Sequence, residues 1–197
     1  AVVIAVSATV TVLAKRNNNS SSGGTSVTGT SEGDAQLNIA ETPKATTTSK
    51  GNGVLTSAQI YEKVSPSNVG IVVYSQSSSS ASGEGSGIVM GENKDHTYTY
   101  IITCAHVSSG EGVKAVVQLH DGTQYDAEIV GYDSRTDIGV LKIKATGFTA
   151  AEFGDSTKLS VGETVYAIGN PGGTEFFGSF TNGMVSAISR TVSSQIG

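Results

Sequence analysis

Apolar positions divide the chain into three stretches. Residues 1–14 (AVVIAVSATVTVLA) are almost wholly apolar and run directly into Lys15 and Arg16. Residues 17–53 are dominated by Ser, Thr, Asn and Gly, with runs such as Asn17-Asn18-Asn19-Ser20-Ser21-Ser22 and Thr46-Thr47-Thr48-Ser49. From Val54 onward apolar residues return in a different rhythm. Thr56-Ser57-Ala58-Gln59 has the form of a capping box, and Ile60, Tyr61 and Val64 then share one face of a short helix that Pro66 ends. Beyond it come short runs rich in Val, Ile and Tyr, at 70–74, 86–90, 99–104, 113–120, 125–132, 138–143, 164–168 and 180–188. Gly, Asn, Asp and Ser separate them, and no long helical period intervenes. Repeated short strands with turn signals predict an antiparallel barrel or sandwich and exclude a βαβ fold.

The two leading stretches carry different expectations. Fourteen residues make a helix of about 21 Å, short of the ~30 Å hydrocarbon core. Residues 1–14 are therefore read as the C-terminal part of a cut transmembrane helix. Two alternatives remain open: a signal-peptide core with Val12-Leu13-Ala14 as a loose cleavage site, or a strand of the soluble core. Either of the first two readings exports the rest of the chain. Lys15 and Arg16 by themselves favour a cytoplasmic C-terminal side, which a more basic segment upstream would override. Residues 17–53 hold too little apolar surface to offset the entropy of ordering and are expected to be a flexible tether. The chain starts at Ala1 without a Met, and residues 193–197 read as mid-loop, so a fragment cut at both ends is expected.

Composition narrows the class. A net charge of −5 and only 12 Lys and Arg in 197 residues argue against a nucleic-acid partner. The one cysteine, Cys104, excludes an internal disulfide and any zinc site built from several thiolates. All seven Tyr and all five Phe lie at or beyond Tyr61, which places the core in the C-terminal part of the chain.

Three histidines are candidates for chemistry. His96 sits in the polar tip Glu92-Asn93-Lys94-Asp95-His96, and His120 sits beside the turn Asp121-Gly122. Both read as solvated surface. His106 follows the apolar strand Tyr100-Ile101-Ile102-Thr103-Cys104-Ala105, where a rigid strand end can hold a general base in position. Asp137 stands immediately before the strand Ile138-Gly139-Val140-Leu141. There it can cap a turn, or accept Nδ1–H of a histidine and leave Nε2 free as a base. Spacing alone leaves both residues open to a structural role.

The ordered motifs carry more. Gly85-Ser86-Gly87-Ile88-Val89 and Ile102-Thr103-Cys104-Ala105-His106-Val107 resemble the GSG strand and T-x-x-H-V signature of trypsin-like serine proteases. They are more closely similar to the HtrA/DegP (Deg) family. The likeness continues through Asp121-Gly122, Val130-Gly131-Tyr132-Asp133 and Thr136-Asp137-Ile138-Gly139-Val140-Leu141-Lys142-Ile143. It goes on through Phe153-Gly154-Asp155-Ser156, Val161-Gly162-Glu163 and Ala167-Ile168-Gly169-Asn170-Pro171-Gly172, and ends with Thr181-Asn182-Gly183-Met184-Val185-Ser186-Ala187-Ile188-Ser189-Arg190. The resemblance covers about 57–197.

It implies an all-β, chymotrypsin-like pair of β-barrels with the active site between them, His106 as general base and Asp137 as its orienting carboxylate. Residues 1–16 would be the anchor or signal core and 17–53 the linker. Residues 54–155 would form the first barrel, complete, and 156–197 the start of a second, incomplete one. The implied enzyme is a single-pass membrane-anchored, extracytoplasmic serine endopeptidase. It would act on unfolded or exported proteins, with no cofactor and no metal, a C-terminal PDZ domain and a homotrimeric assembly.

One departure bears on activity. The family's nucleophile sits in a G-N-S-G-G-P segment, and none occurs in the 197 residues. Ser86, flanked by glycines, precedes His106 on an early strand and is rejected as nucleophile; Ser179 and Ser186 fall in strand motifs ahead of the nucleophile loop. The fragment is expected to be inert. A cysteine nucleophile made by Cys104 with His106 would leave Asp137 without a role, so Cys104 reads as a buried free thiol. The rival readings are a pseudoprotease kept for peptide binding, and a tethered β-barrel adhesin.

Overall fold

The computed structural model describes residues 2–4, 38–41, 55–75, 80–109 and 112–188. Apart from three residues, the apolar leader lies outside these, as does most of the stretch read as a tether.

Helix α1, Ser57–Val64, forms where the capping box places it. Thr56 Oγ1 accepts from Gln59 N at 3.3 Å, and Gln59 Oε1 accepts from Thr56 N at 2.9 Å. Pro66 then sits in a short 3₁₀ turn that leads into the first barrel strand.

Six strands come next: β2 Asn68–Tyr74, β3 Ala81–Glu92, β4 Thr99–Cys104, β5 Lys114–Gln118, β6 Gln124–Asp133 and β7 Ile138–Ile143. They close into an antiparallel barrel in the order β2-β3-β4-β7-β6-β5. Of the two all-β architectures the pattern allowed, the chain adopts the closed one. The period-2 alternation explains the core. Val69, Ile71 and Val73 of β2, Ala115 and Val117 of β5, and Leu141 and Ile143 of β7 all point inward and meet Val89 and Ile101. Gly87 is required inside this cluster, because a Cβ there would lie 2.7 Å from Ile101 Cγ2 and 2.9 Å from Ile71 Cδ1.

Two further strands, β8 Thr164–Gly169 and β9 Ser179–Met184, pair antiparallel and belong to a second, partial sheet. Its remaining strand is β1, Val2–Ile4, which pairs parallel with β8 from Val2↔Tyr166 to Ile4↔Ile168. Among the described residues no helix is long and apolar enough to cross a membrane. Residues 38–41, within the stretch read as a tether, lie against the β3–β4 hairpin: Ala40 N donates to Glu92 O, and Lys94 N donates to Asn38 O.

The predicted strands at 99–104 and 138–143 match the observed ones residue for residue. Those at 113–120 and 180–188 end earlier in the structure, at Gln118 and Met184. The single turn of helix α2 at Ala105–Ser108 has no counterpart in the hydrophobic pattern, and neither do the short 3₁₀ turns at Ser156–Lys158 and Thr174–Phe176.

The second sheet is tied to the barrel through buried Asn170, just beyond the end of β8. Its Oδ1 accepts from Asn68 Nδ2 and Gly178 N, both at 2.9 Å, and its Nδ2 donates to Val69 O at 2.8 Å. Asn170 N donates to Ser86 Oγ at 2.7 Å.

Candidate active site

β4 and β7 are neighbours in the barrel, although 33 residues separate Cys104 from Asp137. Their register pairs Thr103 with Gly139 and Cys104 with Ile138, so the residues just beyond the ladder, Ala105-His106 and Asp137, meet at one barrel end. Ala105 N donates to Asp137 O at 3.0 Å and continues the ladder one step. Turn α2 then lifts His106 out of the sheet. Gly139 permits this approach, since a Cβ there would fall 2.5 Å from buried Ser108 Oγ and 3.3 Å from Cys104 O.

Asp137 takes a left-handed backbone conformation, φ 56°, a region where Asp and Asn are enriched among non-glycine residues. Its carboxylate receives the backbone N–H of His106 at Oδ1, 2.9 Å, and the imidazole Nδ1 at 2.8 Å from Oδ2 and 3.0 Å from Oδ1. An ionised carboxylate only accepts, so Nδ1 carries a proton in this pair, and in the neutral ring Nε2 is then the nitrogen with the lone pair. The His106 side chain is 47% exposed and that of Asp137 24%. Burial pulls the Asp137 carboxyl upward, but the His106 backbone N–H and the imidazole outweigh it. The net position is below the ordinary carboxylate range, which keeps Asp137 charged at neutral pH.

Cys104 is 7% exposed and carries a free thiol. Burial, then the negative charge of Asp137 and hydrogen bonding to it, push the thiol up to about 11. It is thus protonated and a poor nucleophile near neutrality. The other histidines lie elsewhere. His96 is on the hairpin tip with Nδ1 2.6 Å from Glu92 Oε2, and exposed His120 packs edge-on against Phe177. Ser86 is buried with its hydroxyl engaged by Asn170 N, which agrees with its rejection as a nucleophile. The pattern carried no sign of two contributions: the His106 backbone N–H to Asp137, and the turn α2 that aims it. Both depend on register between strands distant in sequence.

A closed six-stranded antiparallel barrel, a second partial sheet bound to it and an imidazole–carboxylate pair at adjoining strand ends define a chymotrypsin-like fold. The chain matches the trypsin-like peptidase domain over residues 85–196 and belongs to that family. The relatives it resembles are HtrA/DegP serine proteases. It is 46% identical over 101 residues to the serine protease Do-like HtrA of Bacillus subtilis, which covers 51% of this chain and 22% of that protein. It is 35% identical over 196 residues to the Do-like HtrA of Lactobacillus helveticus, covering 86% of this chain and 47% of that protein. Among solved structures, the HtrA-type protease AlgW with a tripeptide superposes with a TM-score of 0.59 at 28% identity, over 73% of this chain and 42% of that one. The serine endoprotease of Yersinia pestis gives 0.55 at 29% identity, over 69% and 46%. The chain spans less than half the length of each of these relatives.

Proposed function

We propose that this chain supplies the base and orienting carboxylate of an HtrA-type serine endopeptidase acting on unfolded or exported proteins outside the cytoplasm. The observation that carries the reading is the grip of Asp137 on His106: one carboxylate receives both the backbone N–H and Nδ1–H of the same residue. That double contact fixes the tautomer and turns Nε2 toward solvent as an acceptor. In the reaction, Nε2 takes the proton of a serine hydroxyl as it attacks the peptide carbonyl, then returns it to the leaving amine. Asp137 remains ionised throughout and stabilises the imidazolium that forms in between. The step uses no cofactor.

The nucleophile and the oxyanion-hole amides that flank it come from sequence outside these 197 residues, which hold no Gly-x-Ser-Gly-Gly segment. A second barrel completed there would also carry the specificity pocket. The extracytoplasmic site is supported by relatives such as the probable periplasmic serine endoprotease DegP-like of Halomonas elongata. A PDZ domain and trimeric assembly belong to the same reading, as does tethering to the membrane through the apolar run 1–14, which requires Val2–Ile4 to leave their pairing with β8. The 197-residue chain is expected to leave casein intact, as loss of the serine alone lowers triad rates roughly 10⁶-fold. The full-length gene product is expected to hydrolyse it and to form an acyl-enzyme. Casein hydrolysis by the 197 residues alone would overturn this division of the site, and a full-length protein inert toward casein and peptides would indicate a pseudoprotease.

A further inference from the structure

The base–carboxylate pair has a third donor that the protease reading does not use. Cys104 Sγ, a ring nitrogen of His106 and a carboxylate oxygen of Asp137 lie within 4.8 Å of one another. We propose that these three atoms form a binding site for a zinc-like divalent cation, and that the bound cation masks the imidazole.

The donor set fits that class of ion. Borderline-soft cations such as Zn²⁺ take thiolate, imidazole and carboxylate together, at about 2.3, 2.0 and 2.0–2.2 Å. Tetrahedral bonds of those lengths separate donors by roughly 3.3–3.6 Å. The Asp137–His106 contact of 2.8 Å is shorter than that separation and opens by roughly 0.5 Å to admit the ion, while Sγ, within 4.8 Å of the other two donors, is drawn in by about 1.5 Å at most. A thiolate and a carboxylate cancel a double positive charge, and the neutral imidazole adds none. The three ligands come from three segments, the end of β4, turn α2 and the residue before β7, which the β4–β7 ladder holds together. The imidazole is half exposed, so an ion has an entry path and solvent can fill a fourth position.

The chemistry balances with one proton released. The thiol gives its proton to water and becomes a ligand. The Nδ1 proton is replaced by the cation and passes through solvent to Nε2. In the tautomer that results, Nε2 is a donor with no free lone pair. This loss of base function rests on the protease reading; the binding does not.

Cobalt(II) is the probe, added to the purified 197-residue chain. Binding at one ion per chain is expected to give thiolate-to-cobalt charge-transfer absorption and the strong visible bands of a four-coordinate site, with about one proton released and zinc displacing the cobalt. The charge-transfer band is expected to vanish in Cys104→Ala, and the visible bands to collapse in His106→Ala and Asp137→Ala. Titration of the wild-type chain decides the matter even where a variant folds poorly. Absence of thiolate charge transfer in the wild type, or a cobalt spectrum unchanged by all three substitutions, overturns the site. In the full-length protein, zinc is expected to suppress peptide hydrolysis and a chelator to restore it. Cobalt binding without zinc inhibition refutes the masking. A protein that binds cobalt but hydrolyses nothing leaves the site standing and removes the protease reading instead.

Discussion

Asp137 combines a left-handed backbone with a carboxylate directed at its partner, and few residues tolerate both. Asn tolerates the same φ and is close in shape, whereas Ala does not relieve the strain at φ 56°. Asp137→Asn is therefore expected to leave the thermal transition of the chain nearly unchanged. In the full-length protein it should lower kcat by about 10⁴, because an amide no longer enforces the Nδ1–H tautomer. Steady-state kinetics alongside a melting curve separates the two effects. Cys104 gives a second residue-scale test. Its thiol titrates near 11 in the fold against an ordinary 9.0, so at pH 8 the thiolate fraction is about 100-fold smaller than in the unfolded chain. Iodoacetamide labelling, read out by mass spectrometry, is expected to be slower in the folded chain by at least that factor and not to depend on His106. The same shift bears on stability. A folded value raised above the unfolded one contributes stability below pH 9, and that contribution is lost as pH rises toward 11.

At the scale of elements, much was legible because strands of this barrel obey the period of 2. β4 and β7 emerge from runs whose apolar residues give way to polar turn residues, and α1 is announced by Thr56 and Gln59. Turn α2 was not legible. Four residues, Ala105–Ser108, are too few to show a helical period, and the turn is held by tertiary contacts, including Ala105 N to Asp137 O. Nor does the sequence reveal why β3 carries Gly87. A methyl group there meets three buried side chains at 3.0 Å or less, while one at Gly83 on the same strand meets nothing within 4 Å. Gly87→Ala is expected to destabilise the chain by about 1–3 kcal/mol through overpacking, and Gly83→Ala to change it by less than about 0.5 kcal/mol. Urea denaturation of both variants checks the contrast; equal effects would mean the barrel interior is looser than its side-chain contacts imply.

For the whole molecule, the question is how a barrel and a separate sheet keep one arrangement. Asn170 answers part of it by pairing with Asn68 Nδ2, Val69 O and Gly178 N from a buried position. Asn170→Ala removes these bonds and leaves buried polar groups unpaired, so a loss of about 1–3 kcal/mol is expected, read as a lower urea midpoint. Ser86 and Asn170 each belong to a motif recognisable in the sequence, but the bond between them crosses 84 residues and has no local signature. The same holds for His106 and Asp137, 31 residues apart: the residue types were readable in order, and only the β4–β7 register shows that they touch. The most direct test of the central claim is fluorophosphonate labelling of the full-length protein, wild type against His106→Ala, with circular dichroism to confirm equal folding. A serine activated by His106 predicts covalent labelling of the wild type and a rate slowed by several orders of magnitude in the variant. Equal labelling of the two proteins, or none in either, would contradict the assignment of His106 as the base.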